Sequence, residues 1–144
     1  MSDKRVILTG GAGLVGQNLV QRLIAQGYKD IIVLDKHAKN LQTLKNIYPS
    51  VKSHLVDLAE LGQWEQYFSG ASVVVMLHAQ IGDLSIEPFI RNNITATKNI
   101  LDIIQKHHIE KTIHISSSVV NSVADDFYTQ TKKEQELIVK NSGI

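Results

Sequence analysis

The chain has 144 residues, 15 Lys and Arg against 14 Asp and Glu for a net charge of +1, and hydrophobic and charged fractions of 43% and 20%. These values suit one globular domain long enough for a sizeable core, and without a run of one sign they speak against a nucleic-acid binder. The lack of cysteine excludes disulfides, thiolate metal sites and a cysteine nucleophile.

Met1-Ser2-Asp3-Lys4-Arg5 leads straight into the first apolar run, leaving no room for a signal peptide. No stretch approaches the roughly 18 apolar residues of a membrane span, so a cytoplasmic protein with no membrane partner is expected. From there, runs of strand length alternate with helix-period segments, which predicts a parallel sheet with crossover helices. The first strand is Arg5 to Thr9. The turn Thr9-Gly10-Gly11-Ala12-Gly13-Leu14-Val15-Gly16 then opens a helix over 13–26, with Val15, Leu19, Val20, Leu23 and Ile24 expected on its buried face. Gly27 suits its C-cap. The second strand, Ile31 to Asp35, is apolar on both faces, as a central parallel strand should be.

A helix over 39–47 should stop before Pro49, because the residue preceding a proline disfavours helix. A third strand over 51–56, a short helix over 61–68 carrying Trp64, and a fourth strand over 72–78 follow. The longest helix covers 87–107, with Ile90, Asn93, Ile94, Thr97, Leu101 and Ile104 at helical spacing. A fifth strand over 112–116 leads to a last helix that starts at Asp125 or Asp126 and reaches Lys140. Gly143 suits its C-cap, and Ile144 would be the first residue of a sixth strand. The predicted fold is α/β: a Rossmann doubly wound parallel sheet with helices on both faces, one domain over 1–144, truncated before its sixth strand.

Three motifs carry chemistry. In the glycine turn, one glycine makes the tight bend, one lets backbone approach a pyrophosphate and one lets the helix pack on the strand, while the helix N-terminus offers unpaired N–H groups. Asp35, at the end of strand two, can accept hydrogen bonds from an adenosine ribose and would repel a 2′-phosphate, which favours NAD over NADP; Lys36 and Lys39 weaken that preference. Tyr128 and Lys132, at i and i+4, share a helix face, where the ammonium would stabilise a phenolate and lower a pKa of about 10. Tyr48 and Lys52 repeat the spacing across Pro49, which no helix would hold on one face. Ser118, at the end of strand five, could bond the same substrate oxygen as Tyr128. The histidines show no ligand spacing, so no metal site is expected.

Together these residues resemble the extended short-chain dehydrogenase/reductase family, in particular its NAD-dependent, nucleotide-sugar epimerase/dehydratase branch. The likeness is carried by Thr9-Gly10-x-x-Gly13-x-x-Gly16, Asp35, Asp57-Leu58, Asn92-Asn93-Ile94, Ser116-Ser117-Ser118 and Tyr128-x-x-x-Lys132, in the family's order along the whole chain. The resemblance implies that Gly10, Gly13, Leu14, Val15 and Gly16 hold the NAD pyrophosphate, Asp35 the adenosine ribose, and Asp57 and Leu58 the adenine. Ala79 and Gln80 would lie near the nicotinamide half, and Asn93 would belong to the active-site helix. It further implies Tyr128 as general acid/base, Lys132 as the group that lowers its pKa and binds the nicotinamide ribose, and Ser118 as the group that orients the substrate. The reaction implied begins with hydride transfer from a sugar carbon to NAD.

Two departures stand beside it. Val119-Val120-Asn121 replaces the family's Val-Tyr-Gly, and Leu77-His78-Ala79-Gln80 replaces His-Leu-Ala-Ala, which moves His78 off the family's histidine position. Family members also continue into a C-terminal substrate domain, so this chain reads as a cofactor half, inactive alone. The other readings are a non-catalytic, redox-sensing dinucleotide module and an interaction protein. For a homodimer, helices 87–107 and 125–140 are the expected surfaces.

Overall fold

The computed structural model describes residues 3–144. Five strands, β1 (Arg5–Thr9), β2 (Ile31–Asp35), β3 (Lys52–Leu55), β4 (Ala71–Met76) and β5 (Lys111–His114), form one all-parallel sheet in the order β3-β2-β1-β4-β5. The crossover helices are α1 (Leu14–Ala25), α2 (Ala38–Ile47), a 3₁₀ segment (Gln63–Phe68) and a long helical stretch from Glu87 to Lys106, with α5 (Phe127–Asn141) after β5. The chain therefore builds outward from β1 in one direction, returns, and builds outward in the other. That reversal leaves a crevice beyond the carboxyl ends of β1 and β4, where doubly wound sheets take ligands.

Alternation along the central strands divides the core in two. Ile7, Ile32, Leu34, Val74 and Met76 pack with Trp64, Phe68, Ile100 and Ile104 on one face. Val6, Leu8, Val33 and Val75 pack with Val20, Leu41 and Leu44 on the other. This two-sided burial is what the continuous apolar runs of β1, β2 and β4 required.

Several expected elements shift. In α1 the buried stripe is Gly16 and Val20, with Leu19 and Leu23 partly covered, while Leu14, Val15 and Ile24 are 82%, 62% and 37% exposed. The reason is Gly16: a Cβ there would stand 2.2 Å from the Gly11 carbonyl oxygen, so the helix seats on that glycine and Val15 falls one position off the stripe. The long helix is not uniform. It comprises α3 (Glu87–Phe89), a π-helical turn (Ile90–Thr95) and α4 (Ala96–Lys106). Asp126, not Asp125, caps α5, its carboxylate accepting from the Thr129 backbone N–H and hydroxyl at 2.8 Å each. Gly143 follows α5 with φ +76°. Tyr48 lies at the end of α2 and Lys52 begins β3, where the lysine pairs with Asp30, so this second tyrosine–lysine pair spans a turn.

Candidate functional site

The glycine turn occupies the crevice, and its glycines are needed for different reasons. Gly10 has φ +69°, and a Cβ on it would meet the His78 Cα at 2.5 Å. Gly16 is closed by Gly11, as above. Gly13 differs, because its Cβ would find only the Gly10 carbonyl oxygen, at an ordinary 3.6 Å. Nothing in the chain itself demands a glycine there; a group brought close from outside would. Gly13 is the extended N-cap of α1, contributes no side-chain cap, and no acidic residue sits in the first turn. The leading N–H groups are therefore left to an anion from the cleft. Leu14 and Val15, exposed at this end, line the cleft with the glycines.

That cleft holds about 430 Å³. Asp35, Lys36, His37 and Asn40 line it beyond β2, Leu58 beyond β3, and Ala79, Ile81 and Asn92 beyond β4. Asp35 is 5% exposed and already engaged. Its Oδ2 accepts from the Ala12 N–H at 3.0 Å, and its Oδ1 takes the His37 N–H at 2.9 Å and meets His37 Nδ1 at 3.1 Å. Asp35 thus braces the glycine turn while lining the cleft. A glycine cradle, an uncapped helix N-terminus and an acidic strand end on one cleft fit a dinucleotide.

The other expected binding residues divide. Leu58 and Ala79 line the cleft; Asp57, Gln80 and Asn93 do not. Asp57 accepts from the Ala59 N–H at 3.0 Å and pairs with Arg91 at 2.9 Å. Burial pushes its pKa up, but the Arg91 guanidinium and the Ala59 N–H outweigh it, leaving it lowered. Asn93 is fully buried, accepts from the Gln80 N–H at 2.7 Å and donates to the Thr131 hydroxyl at 3.0 Å. It clamps the loop after β4 to α5.

Ser118 opens a 3₁₀ turn (Ser118–Asn121) and is exposed; Tyr128 is half-buried in the first turn of α5. Lys132 is 2% exposed, and its ammonium donates to Gln135 Oε1 at 2.5 Å and to the Ile115 carbonyl at 3.3 Å. Burial lowers its pKa to about 8, against the opposing pull of Glu136. Among the described residues no hydrogen bond joins Ser118, Tyr128 and Lys132, and none of the three lines the cleft. Sequence reasoning weighed Lys36 only against an extra phosphate, and it passed over His37, Asn40 and Ile81 on the cleft wall and Gln135 behind Lys132. Only Gln135 carried a signal, its i+3 spacing from Lys132. Among the described residues no cluster of His, Asp and Glu could hold a metal ion, and no helix is long and apolar enough to cross a membrane.

A profile of the NAD dependent epimerase/dehydratase family matches residues 6–141. A UDP-glucose 4-epimerase of Dictyostelium discoideum is 27% identical over 128 residues, covering 82% of this chain and 37% of its own length. A putative dihydroflavonol 4-reductase of Synechocystis sp. is 31% identical over 140 residues, covering 94% and 39%. The crystal structure of UDP-glucuronic acid 4-epimerase from Bacillus cereus in complex with NAD superposes with a TM-score of 0.82 at 22% identity, covering 96% of this chain and 52% of that one. The chain thus spans about half or less of the proteins it matches.

Proposed function

Because the chain belongs to the NAD dependent epimerase/dehydratase family, we propose that it is the NAD-binding part of an oxidoreductase acting on a nucleotide sugar. The observation that carries this is Gly13: a glycine that its own protein does not require, at an uncapped helix N-terminus facing a cleft. In this reading Gly10, Gly13, Leu14, Val15 and Gly16 hold the pyrophosphate, and Asp35 meets the adenosine ribose. Leu58 covers the adenine with Asp57 beside it. Ala79 and Gln80 lie toward the nicotinamide half, with Asn93 fixing the Gln80 backbone. NAD in the cleft would supply the acceptor for a hydride from a sugar carbon. Tyr128 takes the proton from the sugar hydroxyl, Ser118 orients that hydroxyl, and Lys132 steadies the tyrosine oxygen as its charge grows. The names of the epimerase relatives support a nucleotide sugar as substrate.

The second reading, a dinucleotide module that binds without catalysis, is favoured by the separation of Ser118, Tyr128 and Lys132 from the cleft wall. A homodimer through 87–107 and 125–140 is supported by Ile90 and Leu137, which are 43% and 58% exposed on those helices. Isothermal titration of the chain with NAD tests the common core of both readings, and absence of binding overturns them. Nucleotide-sugar-dependent turnover by the full-length protein then separates them, since a binding module shows none.

A further inference from the structure

Lys132 sits at one end of a buried polar chain that the proposed reaction does not use. Its ammonium meets Gln135 Oε1, and Gln135 Nε2 donates to Thr97 Oγ1 at 2.8 Å. Thr97 Oγ1 also lies 3.0 Å from His78 Nε2, and His78 Nδ1 lies 2.8 Å from Thr9 Oγ1. Thr9, Thr97 and Gln135 are fully buried, and His78 is 9% exposed. The chain crosses the molecule from the end of β1, beside the glycine turn, to α5.

Its direction is fixed by one hydrogen. The Thr97 hydroxyl donates to the Asn93 carbonyl at 2.7 Å, so its oxygen can only accept from its other neighbours. His78 must then present Nε2–H to Thr97 and accept from the Thr9 hydroxyl at Nδ1. Gln135 must turn its NH₂ to Thr97 and its oxygen to Lys132; the flipped amide would set two donors against the ammonium and leave Thr97 facing an acceptor. Burial holds His78 uncharged, with a pKa lowered to about 3, which keeps that tautomer throughout the neutral range.

We propose that Gln135 is a positioning residue for Lys132, held in a single orientation by the chain through Thr97 and His78 to Thr9. Two of the three ammonium hydrogens are committed, to Gln135 and to the Ile115 carbonyl. One is left over, and its direction is set by the other two; this is the donor that can serve Tyr128 or a ribose hydroxyl. The inference rests on the proposed role of Lys132. Around the amine, Glu136 faces it from α5 and is held by the Ser116 hydroxyl at 2.5 Å, His114 faces it from β5, and His78 from the end of β4. Glu136 alone among these raises its pKa, so an acceptor at Gln135 matters to the charged form.

The test is the titration of Lys132 in the chain carrying ¹³C-labelled lysine, followed by NMR, with the Lys132 signal assigned by its loss in Lys132→Met. Replacing Gln135 by Met removes the acceptor and should lower the Lys132 midpoint by about one unit, tenfold in its protonation equilibrium, as expected for a lost bond to a charged group. Gln135→Glu keeps the shape, adds a charge, and should raise the midpoint; it decides the matter if the Met variant does not fold. A Gln135 that merely fills space would lower the melting temperature and leave the titration in place. A Lys132 signal that titrates with the native chain in the folded variants overturns the proposal. NAD titration separates it from the functional reading: unchanged affinity in Lys132→Met overturns the ribose role of Lys132 alone, whereas weakened affinity beside an unmoved titration in the Gln135 variants overturns this inference alone.

Discussion

The pair Gly13→Ala and Gly16→Ala should separate binding from stability within one turn. At Gly16 the new methyl carbon would lie 2.2 Å from the Gly11 carbonyl oxygen and 2.5 Å from its Cα and carbonyl carbon. That is about an ångström or more inside the roughly 3.5 Å at which such contacts become favourable. Both partners are backbone, so α1 must lift from the turn, and overpacking of this kind costs about 1–3 kcal/mol. For a chain of this length, a loss near 2 kcal/mol lowers Tm by about 4–8 °C. At Gly13 the methyl group meets only an oxygen at 3.6 Å. The reduced freedom of the unfolded chain contributes about 0.4–1 kcal/mol, and a poorer N-cap offsets a similar amount, so Tm should stay within about 2 °C of the native value. NAD affinity should instead fall about 10–100-fold, the cost of one or two lost charge-assisted bonds to phosphate. Thermal melts without ligand and calorimetric titrations with NAD read the two effects. The reasoning is refuted if Gly13→Ala binds NAD as the native chain does, or if it melts as low as Gly16→Ala.

Three further outcomes follow from the same geometry. Tyr128→Phe, which removes a hydroxyl with no hydrogen-bond partner among the described residues, should reduce turnover of the full-length protein about 10²–10⁴-fold while leaving Tm and NAD affinity close to native; steady-state kinetics beside calorimetry would expose a discrepancy. Asp35→Ala strands the Ala12 N–H behind the turn and should cost about 1–3 kcal/mol in urea unfolding, even with no ligand present. His78, with its pKa lowered by burial from 6.5 to about 3, binds a proton in the unfolded chain before it does in the folded one. Stability should therefore fall as pH drops below 6.5, by about 2 kcal/mol at pH 5 from this group, and level off below pH 3. Urea midpoints of His78→Gln across that window should show a shallower acid slope, and an unchanged slope would contradict the assignment.

The strands and their parallel order were legible because β1, β2 and β4 are buried on both faces and so read as unbroken apolar runs. The glycine turn and Asp35 were legible because strand–turn–helix context limits what such residues can do. The limits are equally physical. The α1 stripe was misread at Val15 because apolar periodicity cannot see that Gly16, a residue with no side chain, closes against the Gly11 backbone of the turn. The π-helical turn leaves no mark in a pattern counted at 3.6 residues, since one widened turn only displaces the residues that follow it. Gln135 looked like one more polar residue on a polar helix. Its burial depends on Thr97, 38 positions away in sequence, and no local pattern carries that separation.

Asn93 ties these limits together. It lies within the widened turn, where its side chain holds the Gln80 backbone and Thr131 while its carbonyl takes the only hydrogen of the Thr97 hydroxyl. The first set of bonds fixes the loop that forms the far wall of the cleft. The second fixes the direction of the chain that ends at Lys132. The Thr97 bond is the i to i−4 back-bond that an ordinary helix also makes, so the coupling lies in Asn93 itself, whose side chain and carbonyl face different partners. Asn93 is therefore the residue through which the cleft wall and the buried lysine are set together. In the proposed reaction these are the two ends that must meet on one substrate carbon: the hydride acceptor's pocket on one side of Asn93, and the amine that steadies the proton-transfer group on the other.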